Sequence, residues 1–415
     1  MPGRTWVIAP DAESLRRRWA ALVAAAPEDK ETLFHPHLRN GLPGDKHVRK
    51  VVAEALAGFK TSSLAVAEET GSTSEPVAYS VRSFDRQWLL PDARLINQPN
   101  PKLWRLSSGN QAFLTAPHDR PPTDGPSLTF SGVITDLHHY NGRGGRVFPL
   151  WADAEATRSN LRTTLQSQLC LAYGRPVRAE DLFAYIAAVA AHPAYIERFR
   201  SDLATPGLRI PLTADTVAFF AAAELGRRIV WLHTFGERFT DASAGRDPGA
   251  PRLPTSRRPQ VPRGGAIPTT PEGMPNALAY DAEKQRLMVG SGFIEPVPME
   301  VWRYQVGGKQ VLVQWFNSRK REREKPQIGD RRKPSPLGDI QPDHWLAEYT
   351  TELLNVLNAL NVLGLLVELE PQAEQLLERI CAGPLVTQAD LQAAGAYFPE
   401  GFVSATARAQ GRLDL

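Results

Sequence analysis

The chain has 415 residues, 42% of them hydrophobic, with nine Trp and a net charge of +3, from 48 Lys and Arg against 45 Asp and Glu. Those values exclude a disordered chain and leave room for two or three domains with their own cores. A charge so near zero does not single out a nucleic-acid binder, and two Cys in apolar helical contexts exclude a disulfide framework or a zinc knuckle. A reducing cytoplasm is therefore the expected location, since no apolar run is long enough to span a membrane and the N-terminus has no apolar signal core. Arginine dominates the basic residues. That suits bidentate contacts to phosphate or guanine, and equally the residue bias of a GC-rich genome.

In chain order, "TWVIAP" reads as a short buried strand ending at Pro10. Asp11 is placed to cap the helix that follows, with Leu15, Trp19, Leu22 and Val23 on one face. A chain that starts straight into a core strand is expected to be a fragment, or to complete another domain. From 76 to 150, "PVAYSVRSF", "QWLLP", "LWRLSS", "QAFLTA", "SLTFSGVI" and "RVFPLW" are short apolar or alternating runs bounded by turn residues, which predicts strands. From about 155 the period becomes helical. "RAEDLFAYIAAVAAHPAYIERFRSDLA" should break near Pro193, and "LTADTVAFFAAAELGRRIVWLHTF" should end near Gly226.

Residues 241–275 hold eight Pro and five Arg, a composition that predicts a basic linker or long loop without a core. Strands are expected again in "NALAYD", "RLMVGSGFIEPV" and "EVWRYQVGGKQVLVQWF", with a turn at "VGGK". From Arg319 to Lys333 the chain has eight positive and three negative residues. A long apolar helix, 344–370, and one opened by Pro371 close the pattern, stopped by Gly383-Pro384. The predicted class is α+β: a β-rich half, helical segments, a second β-hairpin unit and a C-terminal helical pair. The predicted divisions are a connector (1–75), two functional parts (76–240 and 276–383), the linker (241–275) and a tail (384–415).

Catalytic motifs do not emerge. A base-flipping amino-methyltransferase loop is not matched by "RPPTDG" or "QPNPKLW". No Gly-rich cofactor loop leads from a strand into a helix, and "GGKQ" lacks the spacing and hydroxyl of a phosphate loop. His35 with His37 and His138 with His139 have no Cys or carboxylate cluster at ligating spacing, and no nucleophile elbow occurs.

Three stretches, taken together and in order, resemble a known family. "VRSFDRQWLLPDARLI" resembles the Arg-Pro-Phe-Asp-x-Arg-Trp signature that follows the catalytic domain of single-chain Type IIG and Type ISP restriction–modification enzymes. "DLFAYIAAVAAHPAYIERFRSDL" with "RIPLT", and "VWRYQVGGKQVLVQWFNSRKR", resemble two later motifs of the same enzymes. The wording is most similar to the Type ISP group, and the resemblance runs over most of residues 4–382. Arg82, Phe84, Asp85 and Arg86 match the signature, and Ser83 replaces its proline.

The resemblance implies the C-terminal target-recognition region, with residues 1–75 as the end of a methyltransferase and its connector. The implied partners are double-stranded DNA and the methyltransferase, helicase and nuclease domains of a phage-defence system. The implied cofactor is S-adenosylmethionine, held by the methyltransferase and not by this chain; no membrane is implied. Two other readings stay open: part of an active adenine methyltransferase, or a protein-interaction module from a split gene.

For DNA contact the basic run comes first: Arg319, Lys320, Arg321, Arg323, Arg331 and Arg332, since basic side chains displace condensed counterions. A solvated loop of alternating sign is its bland alternative. The Gly-rich loop from His138 to Arg146 places His139, Asn141, Arg143 and Arg146 for base edges, if it is more than a plain hairpin turn. Lys309 and Gln310 beside Gly307-Gly308 suit close approach to a DNA backbone. Asp85 is expected to pair with Arg82 or Arg86, leaving the other Arg for a phosphate. Trp104, Trp151, Trp231, Trp302 and Trp345 are expected in the core rather than stacked on bases.

Overall fold

Spatial proximity along the backbone sorts the chain into two compact units, interleaved in sequence, in a computed structural model. The structure describes residues 5–34, 38–39, 42–43, 48–49, 51–52, 55–59, 62–97, 99–117, 120–140, 145–205, 207–321, 336–338, 342–364 and 369–396. The first unit comprises Met1–Arg105, Gln260–Pro296 and Leu312–Leu353; the second comprises Leu106–Pro259, Val297–Val311 and Leu354–Leu415. The segments are thus discontinuous in sequence, unlike the linear division suggested by composition.

In the first unit, Ile8–Ala9 pairs antiparallel with Asp85–Leu89, which pairs in turn with Val77–Arg82. Trp6 to Ala9 are buried, as expected of a core strand. Asp11 caps Ala12–Ala24, its Oδ1 accepting from the Ser14 N–H at 2.7 Å. Leu15, Trp19 and Leu22 face inward. So does Arg18, whose guanidinium donates to the Trp6 and Ile8 carbonyls and whose pKa burial lowers to about 10. A second three-stranded antiparallel sheet has Arg286–Val289 at its centre, between Leu278–Asp281 and Gly292–Ile294.

In the second unit, Phe113–Pro117 is the central strand between Thr129–Ser131 and Gly145–Pro149. Beside it lies a helix pair, Ala179–Ala190 and Thr216–His233. Eleven of the twelve residues of 179–190 are buried, the mark of a helix apolar on all sides. Gly226 is mid-helix rather than at the helix end, and its role is contact: a Cβ there would lie 1.7 Å from the Ala184 carbonyl oxygen. Pro193 opens a new helix, Pro193–Arg198, so the expected break holds.

Three predicted strands are helices. In "LWRLSS" the Asn100 side chain caps Pro101–Trp104, and Pro101 sits in its first turn. "EVWRYQVGGKQVLVQWF" folds as Met299–Arg303, a small hairpin, and the helix Val311–Asn317. Short apolar runs carry no decisive period, and tertiary burial chooses between helix and strand. Residues 241–275 are also more structured than composition implies, with Leu253, Ile267 and Met274 buried. The expected pair of C-terminal helices is present as Ala347–Gly364 and Leu369–Ala382.

Candidate nucleic-acid interface

The charged hairpin that resembles the family signature is an internal brace. Val77–Arg82 and Asp85–Leu89 are joined by a two-residue turn, Ser83-Phe84, with Arg82 opposite Asp85. Both turn residues are buried, and Phe84 adopts a left-handed φ of +63°. Such a φ is uncommon for a non-glycine residue and persists where packing over-determines it. Asp85, 2% exposed, receives Arg319 Nη1 at 2.8 Å, Ser318 Oγ at 3.1 Å and Gln87 Nε2 at 3.1 Å. Arg319 is wholly buried: Nη2 also reaches the Arg86 carbonyl at 2.9 Å and Glu352 Oε2 at 3.1 Å, and its Cζ lies 4.0 Å over the Trp315 ring.

Two expectations are corrected here. Asp85 pairs with Arg319, 234 positions along the chain, and not with Arg82 or Arg86. Arg319, first in the basic run, has no surface to offer a phosphate. The physical reason is pairing: a guanidinium can be buried only where carboxylates and carbonyls replace its water. The Trp315–Arg319 spacing of four residues was visible in the sequence and points to stacking across one turn. Glu352 and Ser318 carried no such signal.

The remaining positions separate by exposure. Arg82 and Arg86 are half-buried, with Arg82 Nη1 donating to the Val81 carbonyl at 2.7 Å. Lys320 is half-buried; Arg321 is exposed, its N–H bonded to the Pro275 carbonyl. Arg146 is exposed on Gly145–Pro149. Asn141, Arg143, Arg323, Arg331 and Arg332 lie outside the described residues.

His139 is 1% exposed, and its Nδ1 lies 2.8 Å from Thr115 Oγ1, itself 3.0 Å from Thr129 Oγ1. It braces the sheet and is not presented to a groove, which corrects its assignment to base edges. Its neighbour Tyr140 donates to the Pro126 carbonyl at 2.6 Å, and the Gly145 N–H closes on the Leu137 carbonyl at 3.1 Å. Tyr140 and Gly145 are thus each tied to a described segment, and residues 141–144 lie outside the described residues.

The "VGGK" hairpin pairs Gln305–Val306 with Lys309–Gln310, with φ of +57° and +72° at Gly307 and Gly308. Two positive φ values define the tight turn that matches strand twist. The Gly308 N–H donates to the Asp124 carbonyl, and a Cβ on Gly308 would meet Thr123 Oγ1 at 3.1 Å. The two glycines thus serve the turn and its packing on the loop at 123–125, and an approach to DNA is not needed to explain them. Lys309 is exposed, whereas Gln310 turns back to donate to the Trp302 carbonyl.

Trp104, Trp231 and Trp345 are buried, as expected of core residues; Trp151 and Trp302 are half-buried. Among the described residues, no group of three His, Cys, Asp or Glu could hold a metal ion, and no helix is long and apolar enough to cross a membrane. The strand pairings among the described residues are all antiparallel.

A family model described as the Type ISP C-terminal specificity domain matches residues 1–356. No curated protein matches the chain. Three solved structures are similar in fold, each covering 90% of this chain. They are the cryo-EM structure of a DrdV–DNA complex (TM-score 0.55, 16% identity), the ATP-dependent Type ISP restriction-modification enzyme LlaBIII bound to DNA (0.57, 12%), and a nuclease-deletion mutant of the Type ISP enzyme LlaGI with a DNA substrate mimic (0.50, 16%). The chain spans 34%, 22% and 26% of those chains respectively.

Proposed function

Because the chain belongs to the Type ISP C-terminal specificity domain family, we propose that it is a DNA target-recognition module of a Type ISP-like restriction–modification system. The observation that carries the reading is the family match over residues 1–356, and the three similar folds were each determined on DNA or a DNA mimic. In this reading the chain docks on duplex DNA and orients an adenine-N6 methyltransferase on neighbouring domains. That domain would hold S-adenosylmethionine as methyl donor, and helicase and nuclease domains would complete the system.

Exposed cations carry the docking: Arg146 and Lys309 in the second unit and Arg321 in the first. Each neutralised phosphate releases condensed counterions and adds affinity regardless of sequence. Base readout falls to the loop between Tyr140 and Gly145, where Asn141 suits adenine and Arg143 suits guanine.

Fluorescence anisotropy with duplex pools tests the reading. The chain should bind at low salt, weaken steeply as salt rises, and enrich a defined sequence from a randomised pool. No binding to any duplex at low salt would sink it. Asn141→Ala and Arg143→Ala should change which sequence is enriched, each costing about 1–3 kcal/mol on the preferred site.

A further inference from the structure

The Pro/Arg-rich segment holds a feature that neither the motifs nor the proposed contacts use. From residue 248 to 271 the chain has no acidic residue. The part of this stretch in the second unit, up to Pro259, is a braced loop. The Gly249 N–H donates to the Gly236 carbonyl at 3.1 Å, and a Cβ on Gly236 would meet that same Gly249 carbonyl oxygen at 1.8 Å. The Leu253 N–H donates to Oδ1 of the buried Asn358 at 2.9 Å, and Arg258 Nε returns to the Leu253 carbonyl at 2.9 Å. Pro251, Leu253 and Pro259 point inward. Pro248, Pro251, Pro254 and Pro259 restrict the backbone further, since each fixes its own φ.

What this scaffold presents outward is Arg252, Thr255, Ser256 and Arg257, all exposed. Neither guanidinium has an ion-pair or hydrogen-bond partner among the described residues. Other arginines of the same unit differ: Arg227 is paired with Asp181, Arg246 with Glu224 and Asp241, and Arg379 with Asp215. Two unneutralised arginines flanking two hydroxyls on a fixed backbone match a run of phosphate oxygens: the guanidinium forks bind bidentately and the hydroxyls donate between them. The loop exposes no aromatic or large aliphatic residue, so it lacks the apolar centre that a protein partner would need.

We propose that the loop at 252–257 is a sequence-independent phosphate contact on duplex DNA, additional to the cations named above. It rests on the recognition reading and extends it to residues outside the family motifs. The test is the full chain carrying Arg252→Gln and Arg257→Gln together, titrated by anisotropy against one fixed duplex and a randomised pool at several salt concentrations.

The expected result is a Kd weaker on the order of tenfold at low salt, alike for all duplexes, and a log–log salt slope smaller by about one per arginine. The Arg252→Lys/Arg257→Lys variant should keep most of the slope. An unchanged slope in the Gln variant overturns the proposal, as does a shift in sequence preference. So does loss of binding to polyglutamate with the duplex slope unchanged, which would assign the loop to an acidic protein. If the unmodified chain binds no duplex, the recognition reading itself falls and this contact with it; if it binds and the Gln variant binds identically, only this contact falls.

Discussion

The two units solve the same problem, buried polar groups, with a different balance of chemistry. The first buries charge. Arg94 is held by Asp92 at 2.6 Å and Glu69 at 2.9 Å, and Arg319 by Asp85 at 2.8 Å and Glu352 at 3.1 Å. The second also buries charge, Asp181 with Arg227 and Arg246 with Glu224 and Asp241, but adds a set of neutral donors. Tyr140, Tyr173, Tyr185 and Tyr195 each direct a hydroxyl at a backbone carbonyl, of Pro126, Thr213, Pro211 and Arg209, at 2.6 to 2.7 Å. His192 and His233 lie in the same unit, buried and uncharged. The difference teaches where each unit is vulnerable. A charge cluster fails when one partner is removed; a neutral core fails when protons force charge into it.

Removing one partner of the first unit's cluster should have the largest effect. Asp85→Ala leaves Arg319 buried with one of its two carboxylates, and a loss of about 3–5 kcal/mol is expected by denaturant titration. A loss below about 1 kcal/mol would mean that water reaches the site and the brace is not dry.

Acid should separate the units next. Burial lowers His192 to about 4 and His233 to about 3, from an ordinary 6.5. Below 6.5 the unfolded chain therefore binds more protons than the folded one, and stability is lost as pH falls towards 4. Glu370 acts in the opposite sense: burial raises it to about 7, so its contribution falls as pH rises from 4.5 to 7. Two imidazoles outweigh one carboxyl between 4.5 and 6.5, and the net change is a loss on acidification. In the first unit, burial would raise Glu69, but the Gly71 N–H and Arg94 outweigh it and hold it below the ordinary 4.5. Its contribution is lost only below that value. Peptide-level hydrogen exchange at pH 5 should show 179–233 losing protection before 77–96; the reverse order would break the comparison.

Packing in the second unit can be tested without charge. Gly226→Ala places a methyl against the Ala184 carbonyl, and a cost of about 1–3 kcal/mol is expected as the helices part. An unchanged Tm would show that the pair can slide. The smallest effect should come from Tyr185→Phe, which removes a donor to the Pro211 carbonyl and an acceptor for the Thr213 N–H. About 1 kcal/mol per bond is expected, with the segment at 209–213 exchanging faster.

Read residue by residue, local pattern settled much by itself. The Asp11 cap, the strand Val77–Arg82, the helix break at Pro193 and the glycine turn at 307–308 each depend on neighbours within a few positions, so spacing alone specifies them. The family resemblance was legible for the same reason, since motifs are short and ordered. Tertiary structure decided what spacing cannot carry. Arg319 reads as surface charge among its neighbours, yet its partner Asp85 is 234 residues away. His139 reads as a loop residue, yet Thr115 draws it into the sheet. The short apolar run at 311–317 took the helical option with Val311, Leu312, Trp315 and Phe316 buried, whereas 101–104 has a local cap in Asn100 and Pro101. The Pro/Arg segment, without periodicity of its own, gained order from Gly236 and Asn358. Charge and apolarity are properties of a residue, but burial belongs to the contacts it makes, and those close only when distant segments meet.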